Sequence, residues 1–373
     1  MNDTLIIGIA TVDAIARPID EFPGPGGLRF FEHLTMSTGG CAINCSIALA
    51  KLGIPCDVIA RVGTDMLGDF VVAELARHGV ATGAVARDPQ VGTAFTFAAV
   101  AGHGERCFLH TVGADARLCR ADVPPQAFRG RRLVFVTGTM LMDSLDGEPT
   151  AEVLSEARNA GAVTLLDTVF VESTPTAEWR RRVFPALRHV DFFVPSEPEA
   201  RALYGTNEDD KPEQSPAPDQ SRDRKGAVVE PGMGTAPSRS PLSSASPSTS
   251  PLGAPAIPSQ DDLSRMARCF QSRGARNVII KLGARGVFCL TEDGREQLVP
   301  AFPVPRVIDT TGAGDCWSAG FLAGLLENLA MPEAARLGNA VAAQGIQAAG
   351  ATAGVQPLAV IREFMAGRGG QGI

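Results

Sequence analysis

Long apolar runs are missing from this sequence: no stretch approaches the roughly 18 residues that a membrane-crossing helix needs. Blocks of Lys or Arg are missing too, and the 373 residues carry a formal net charge of −7. A nucleic-acid or anionic-membrane partner would leave a basic footprint, so neither is expected. Aromatic residues make up only 6% of the chain, which argues against platforms for stacking bases. The 8 cysteines, at 41, 45, 56, 107, 119, 269, 289 and 316, form no Cys-x-x-Cys, and the 5 histidines no His-x-x-x-His. A zinc site or disulfide framework is therefore unsupported, and free thiols in a reducing cytoplasm fit better. Cys41 and Cys45, one helical turn apart, read as core packing. No basic segment leads into a long apolar one at the start, so Leu5–Ala10 reads as a first strand and not as a leader. No Gly-x-Gly-x-x-Gly follows that strand. Gly63 to Gly68 has the first Walker spacing but Asp69 where lysine must stand, which sets aside a dinucleotide fold and a P-loop.

What is present is alternation. After the strand Leu5–Ala10, polar Thr11 and Asp13 follow at what reads as its C-terminal edge. Residues 14–38, rich in Gly and Pro, read as a small excursion of strands outside the main sheet, and Ala94–Ala101 with Arg106–His110 as a hairpin. Helices are predicted at Cys41–Leu52, Asp69–Arg77, Thr150–Asn159, Trp179–Leu187 and Glu197–Leu203. Strands are predicted between them at Pro55–Arg61, Leu133–Val136, Val163–Asp167 and Phe192–Val194. This order implies a parallel sheet with helices on both faces. The pattern then stops: residues 211–260 hold 10 of the 27 prolines, 10 serines and no aromatic residue. Such a segment buries too little apolar surface to order itself, so it reads as a disordered insertion in a single domain made of 1–210 and 261–373. The pattern resumes with Asp261 as a helix N-cap. The strand Asn277–Lys281, a hairpin of Gly286–Leu290 with Gln297–Val299, and helices at Gly314–Leu329, Pro332–Ala349 and Pro357–Met365 follow.

Chemistry concentrates in Asp309-Thr-Thr-Gly-Ala-Gly-Asp315, just before a long apolar helix. Unpaired N–H groups at a helix start carry partial positive charge and can hold a phosphoryl group. Glycines let the backbone approach it, and a carboxylate beside it can take a proton from an attacking hydroxyl. On spacing alone, a plain helix-start acid after a turn is equally consistent.

Two further segments decide between these readings. Thr38-Gly-Gly-Cys-Ala-Ile-Asn44, with Ala48 to Gly53 and Gly63 to Gly68, resembles the first signature of the PfkB/ribokinase family of carbohydrate and nucleoside kinases. Asp309 to Asp315 resembles the second, and Lys281 to Gly286 lies between them in the family's order. The resemblance covers the chain outside the insertion. It implies a ribokinase-like α/β three-layer sandwich, with a mostly parallel sheet and a small β lid from 14–38 and 92–112. It implies ATP-dependent phosphorylation of a sugar hydroxyl, with Asp315 as base and Gly312, Ala313 and Gly314 as anion hole. Asp13, Gly39, Gly40 and Asn44 would hold the substrate. Ser196, Lys281, Gly283, Gly286, Thr310, Thr311 and Asn339 would surround ATP. Glu199 would act on Mg²⁺ through water, although Ser196 stands where the family has Asn. Asp309 and the Gly350-Ala351 loop imply a monovalent cation, K⁺, with Gly354 where Ser is common. A homodimer through the lid is a further expectation. Phe30, Phe31 and Phe95 leave a nucleoside open as substrate, and a ligand sensor on the same fold is the non-enzymatic alternative. Arg106, His110, Asp115 and Asp167 are weaker candidates near the mouth of the site.

Overall fold

The computed structural model describes residues 2–103, 105–205 and 257–367; most of the insertion read at 211–260 lies outside them. Thirteen strands are present among these residues: β1 Thr4–Gly8, β2 Thr11–Arg17, β3 His33–Gly39, β4 Cys56–Gly63, β5 Val85–Asp88, β6 Ala94–Val100, β7 Arg106–Thr111, β8 Leu133–Thr139, β9 Val163–Thr168, β10 Phe192–Phe193, β11 Asn277–Lys281, β12 Val287–Leu290 and β13 Glu296–Val299. Nine form one sheet in the order β13-β12-β11-β10-β9-β8-β1-β4-β5. It is parallel from β11 to β5, and β12 and β13 add an antiparallel edge. Every residue of β1 and β8 is buried, as expected for parallel strands covered on both faces.

The helices are α1 Cys41–Lys51, α2 Met66–Arg77, α3 Glu148–Asn159, α4 Thr176–Leu187, α5 Glu197–Tyr204, α6 Gln260–Ser272, α7 Ala313–Leu326, α8 Met331–Gly345 and α9 Leu358–Ala366. They divide the core in two. Ile6, Phe135, Ile279 and Cys316 belong to one layer with α1, α7 and α8; Ile7, Val136, Phe193 and Trp179 belong to the other with α3, α4 and α6. Neighbouring residues of one strand point to opposite faces, so Ile6 and Ile7 serve different layers. α7 is apolar on nearly its whole circumference and buried from Cys316 to Gly324, as a helix inside the core must be.

A second sheet, β3-β2-β6-β7, stands apart as the lid. Here the reading changes. The chain leaves the main sheet at Gly8, and Asp13 lies within β2, a lid strand, instead of at the edge of the first strand. Asp115 makes that exit possible: its buried carboxylate accepts from Ala10 N at 2.8 Å and Thr11 Oγ1 at 3.3 Å. Asp115 is therefore a brace for the bend. The N-cap of α6 is Ser259, not Asp261; Ser259 Oγ accepts from Asp262 N at 3.2 Å and Asp262 returns the bond to Ser259 N at 3.0 Å. α8 ends at Gly345, and 346–355 turn back toward the Asp309 loop, where Gly350 N donates to Asp309 Oδ2 at 3.0 Å.

Candidate active site

The loop before α7 delivers Asp315 to the C-terminal edge of the parallel sheet, the side on which α/β folds bind ligands. Gly312 is the N-cap, left-handed at φ 69°, and a Cβ there would lie 2.7 Å from the carbonyl oxygen of Ala351. The turn and its packing on 350–351 therefore both require glycine. Gly314 has open space on its Cα: a Cβ there would meet only Lys281 Nζ, at 3.7 Å. The three residues expected to form an anion cradle are not equivalent. Ala313 N already donates to the Thr310 carbonyl at 3.2 Å, whereas the Gly314 amide has no partner among the described residues.

Asp315 is partly buried, and Asn44 on α1 donates to it through Nδ2 at 2.9 Å. The other end of that amide, Oδ1, is buried without a partner among the described residues. Burial raises the Asp315 pKa to about 6; the Asn44 bond opposes this, the Asp167 charge adds to it, and Lys281 and the Cys41 thiol pull it back. Cys41 thus reaches the site, while its turn-mate Cys45 is buried in the core.

Behind Asp315 lies a buried ionic cluster. Lys281 Nζ donates to Asp167 Oδ2 at 2.6 Å, and Glu199 Oε2 accepts from Thr168 Oγ1 at 3.0 Å and Ser196 N at 2.6 Å. Burial lifts the Asp167 and Glu199 carboxyls above their ordinary values. For Lys281 burial works the other way, and Asp167, Glu199 and Asp315 together outweigh it, raising the ammonium. Asp167 is the site residue that sequence reasoning underweighted; its position at the end of β9 was the available signal.

Two of the cavities that border the loop bear on its chemistry. One, of about 480 Å³, is walled by Gly283, Gly286, Val304, Ala343 and Ile346 and reaches Lys281, Thr310, Gly314 and Asn339. Asn339 has no spare donor here: Nδ2 donates to Val299 O and Pro300 O, and Oδ1 accepts from Trp317 Nε1. It shapes the cavity as a brace. The other, of about 790 Å³, lies under the lid and contains Asp13, Thr96, Phe108, Asp309 and Thr311. Thr310 and Thr311, expected together beside the phosphates, are thus parted between the two. A Cβ on Gly39 would fall 2.4 Å from Asp13 Oδ2, so that glycine makes room for the carboxylate. Gly40, left-handed at φ 82°, packs on the Ile9–Thr11 bend. His110 shares a 3.1 Å hydrogen bond with Thr96 on the inner lid face. Asp309 takes Thr311 N on Oδ1 and Gly350 N on Oδ2, tying the two loops together. Of the aromatics that left a nucleoside open, Phe30, Phe31 and Phe95 do not line the cavity.

The pfkB family carbohydrate kinase model matches residues 1–229 and 251–357. The Haemophilus influenzae ribokinase is 25% identical, with 98% of this chain and 99% of that protein covered. Among solved structures, the Arabidopsis thaliana ribokinase complexed with ribose and ATP superposes with a TM-score of 0.73 at 20% identity, covering 98% of both chains. An Escherichia coli putative ribokinase II in complex with ATP and Mg²⁺ gives 0.70 at 20% identity, covering 99% of this chain and 100% of that one.

Proposed function

Because the chain belongs to the pfkB family of carbohydrate kinases, and so phosphorylates a sugar hydroxyl with ATP as donor, we propose that Asp315 is the base of that transfer. The observation that carries this is the junction at Asp315: a carboxylate held by Asn44, next to an unpartnered helix-start amide, that of Gly314, which lines the apolar cavity. The sugar lies under the lid with hydroxyls on Asp13 and on the unpartnered Oδ1 of Asn44. The adenine fits the flat walls of Gly283, Gly286, Ala343 and Ile346, with its phosphates toward Gly314 and Lys281. Asp315 accepts the proton of the attacking hydroxyl, the oxygen bonds to the γ-phosphorus, and the bond to ADP breaks. The Gly314 amide and the ammonium of Lys281 meet the charge that develops on the phosphoryl oxygens. Lid closure keeps water from competing as acceptor.

The cluster suits Mg²⁺: three carboxylates, Asp167, Glu199 and Asp315, share one ammonium. Among the described residues no three His, Cys, Asp or Glu side chains are grouped to hold a metal ion; Glu199 would hold the ion through water. Mg²⁺ neutralises phosphate charge during transfer. A monovalent cation, K⁺, would be held by backbone carbonyls where Asp309 joins its own loop to 346–350. Among the described residues, no helix is long and apolar enough to cross a membrane; we place the enzyme in the cytoplasm.

A screen of sugars for ADP release, with K⁺ or Na⁺, tests this reading. For any sugar turned over, kcat/KM should rise with pH through an apparent pKa of about 6, as Asp315 loses its proton. K⁺ should give the faster rate. Sugar-independent ATP hydrolysis alone would refute the assignment.

Strand alternation gives the lid two unlike faces. Asp13, Ile15 and Arg17 line the cavity on one; Leu34, Met36 and Leu109 stand exposed on the other. We assign this outer face to pairing with a second copy, since exposed apolar surface of this kind marks interaction sites. Sedimentation should show a dimer that Leu34→Asp with Leu109→Asp converts to monomer.

A further inference from the structure

The charges around the sugar cavity point to the substrate itself. Among the described side chains the arginines are nearly all engaged: Arg61 with Asp88 and Asp122, Arg182 with Asp143 and Asp146, Arg285 with Glu197, Arg336 over Phe302. Among the described side chains, Arg17, Arg129 and Arg306 are the arginines with no hydrogen bond, ion pair or ring contact. Two of these, Arg17 and Arg306, line the cavity that holds Asp13.

They come from different parts of the fold. Arg17 is on lid strand β2, four residues beyond Asp13 and on the same face of the sheet. Arg306 belongs to the segment between β13 and α7, three residues before Asp309. The acids that share the cavity do not neutralise them. Asp309 already takes two backbone N–H groups. The Asp13 carboxyl is raised by burial, which a bonded guanidinium would oppose, and the side chain that bonds it is Thr96.

Arg17 and Arg306 are both exposed in this structure, so water solvates their guanidiniums. Closure on the substrate removes that water, and a cation sealed in without a counter-charge is costly. The compensating charge has to arrive with the substrate. A guanidinium presents a rigid fork of donors that matches a carboxylate or phosphate, and weakly matches a neutral hydroxyl.

We propose that the acceptor is an anionic sugar, its carboxylate or phosphate monoester held by Arg17 and Arg306 while its hydroxyls rest on Asp13. This rests on the kinase reading above and narrows it. The ATP phosphates are an unsuitable counter-charge, because the nucleotide cavity is bounded by Val304, Val307 and Thr310 and does not include Arg306.

The test is kcat/KM for matched pairs: D-glucose against D-gluconate, and D-fructose against fructose 6-phosphate, with 2-dehydro-3-deoxy-D-gluconate and D-ribose added. An acid or phosphate should exceed its neutral counterpart by about 100-fold, as two charge-assisted contacts allow, and the arm that does so identifies the anion. In the double variant Arg17→Gln/Arg306→Gln that ratio should collapse toward one, through KM for the sugar, with KM for ATP and the thermal midpoint unchanged. In the wild type the ratio should also shrink with added salt. A neutral sugar as best substrate, an unchanged ratio in the variant, or a raised KM for ATP would each overturn the proposal. If the wild-type enzyme phosphorylates no sugar at all, the kinase reading falls first; if it phosphorylates neutral sugars only, that reading stands and this one falls.

Discussion

Asp315→Asn should lower kcat by roughly 10³-fold, within the 10²–10⁴ range expected when a positioned general base is removed. The substitution keeps the shape. The new amide can turn its oxygen toward Asn44 Nδ2, which now sits 2.9 Å from the carboxylate, so α1 and α7 stay joined and the melting temperature should hold. KM for either substrate should change little, because the carboxylate acts on the hydroxyl proton as the phosphoryl group moves and contributes little to ground-state binding. The rise of activity through pH 6 should vanish as well, since the titrating group is gone. A variant that turns over sugar and ATP as fast as wild type would refute the base assignment, and would favour a ligand sensor whose turnover is incidental.

Lys281→Met should act on stability first. The ammonium sits 2.6 Å from Asp167 and is the cation that Asp167, Glu199 and Asp315 share. Methionine of similar length fills its space but leaves the carboxylates uncompensated. Removing one partner of a buried pair costs about 3–5 kcal/mol. The pH dependence has a definite sign. The Asp167 and Glu199 carboxyls already lie above their ordinary values through burial, and loss of the ammonium raises them further. A folded state that holds protons the unfolded chain has released loses stability as pH rises. The deficit of the variant relative to wild type should therefore be largest at pH 7.5 and shrink toward pH 5, read from urea unfolding midpoints. Activity should fall too, since the ammonium beside Gly314 would be replaced by an uncharged side chain. Equal midpoints at pH 7.5 would mean that Asp167 and Glu199 are neutral in the enzyme.

Much of this architecture was legible in the chain. Fully apolar runs such as Leu5–Ile7 and Val134–Val136 announce parallel strands because both faces must be dry. Glycine-ended helices such as Cys41–Leu52 announce crossovers. Two errors were local. Capping depends on which oxygen turns back to which N–H, so Ser259 with Asp262 displaced Asp261. The helix expected over Pro332–Ala349 ends at Gly345, and its apolar pattern continues into a turn held by the Asp309 loop.

By itself the sequence determined the parallel sheet and the two glycine-bearing loops, since periodicity and spacing are properties of the chain read in order, and the residues of those loops carried the resemblance to the family. The tertiary structure alone decided the pairings. It brings Asn44 to Asp315 across 271 positions and Lys281 to Asp167 across 114. It moves Asp13 from a sheet edge to a lid strand, parts Thr310 from Thr311, turns Asp115 into a brace and leaves Arg17 and Arg306 on one cavity without side-chain partners among the described residues. No local pattern encodes these facts. A side chain's partner is set by where each crossover returns the chain to the sheet, and charges far apart in sequence are tuned only when folding removes the water between them.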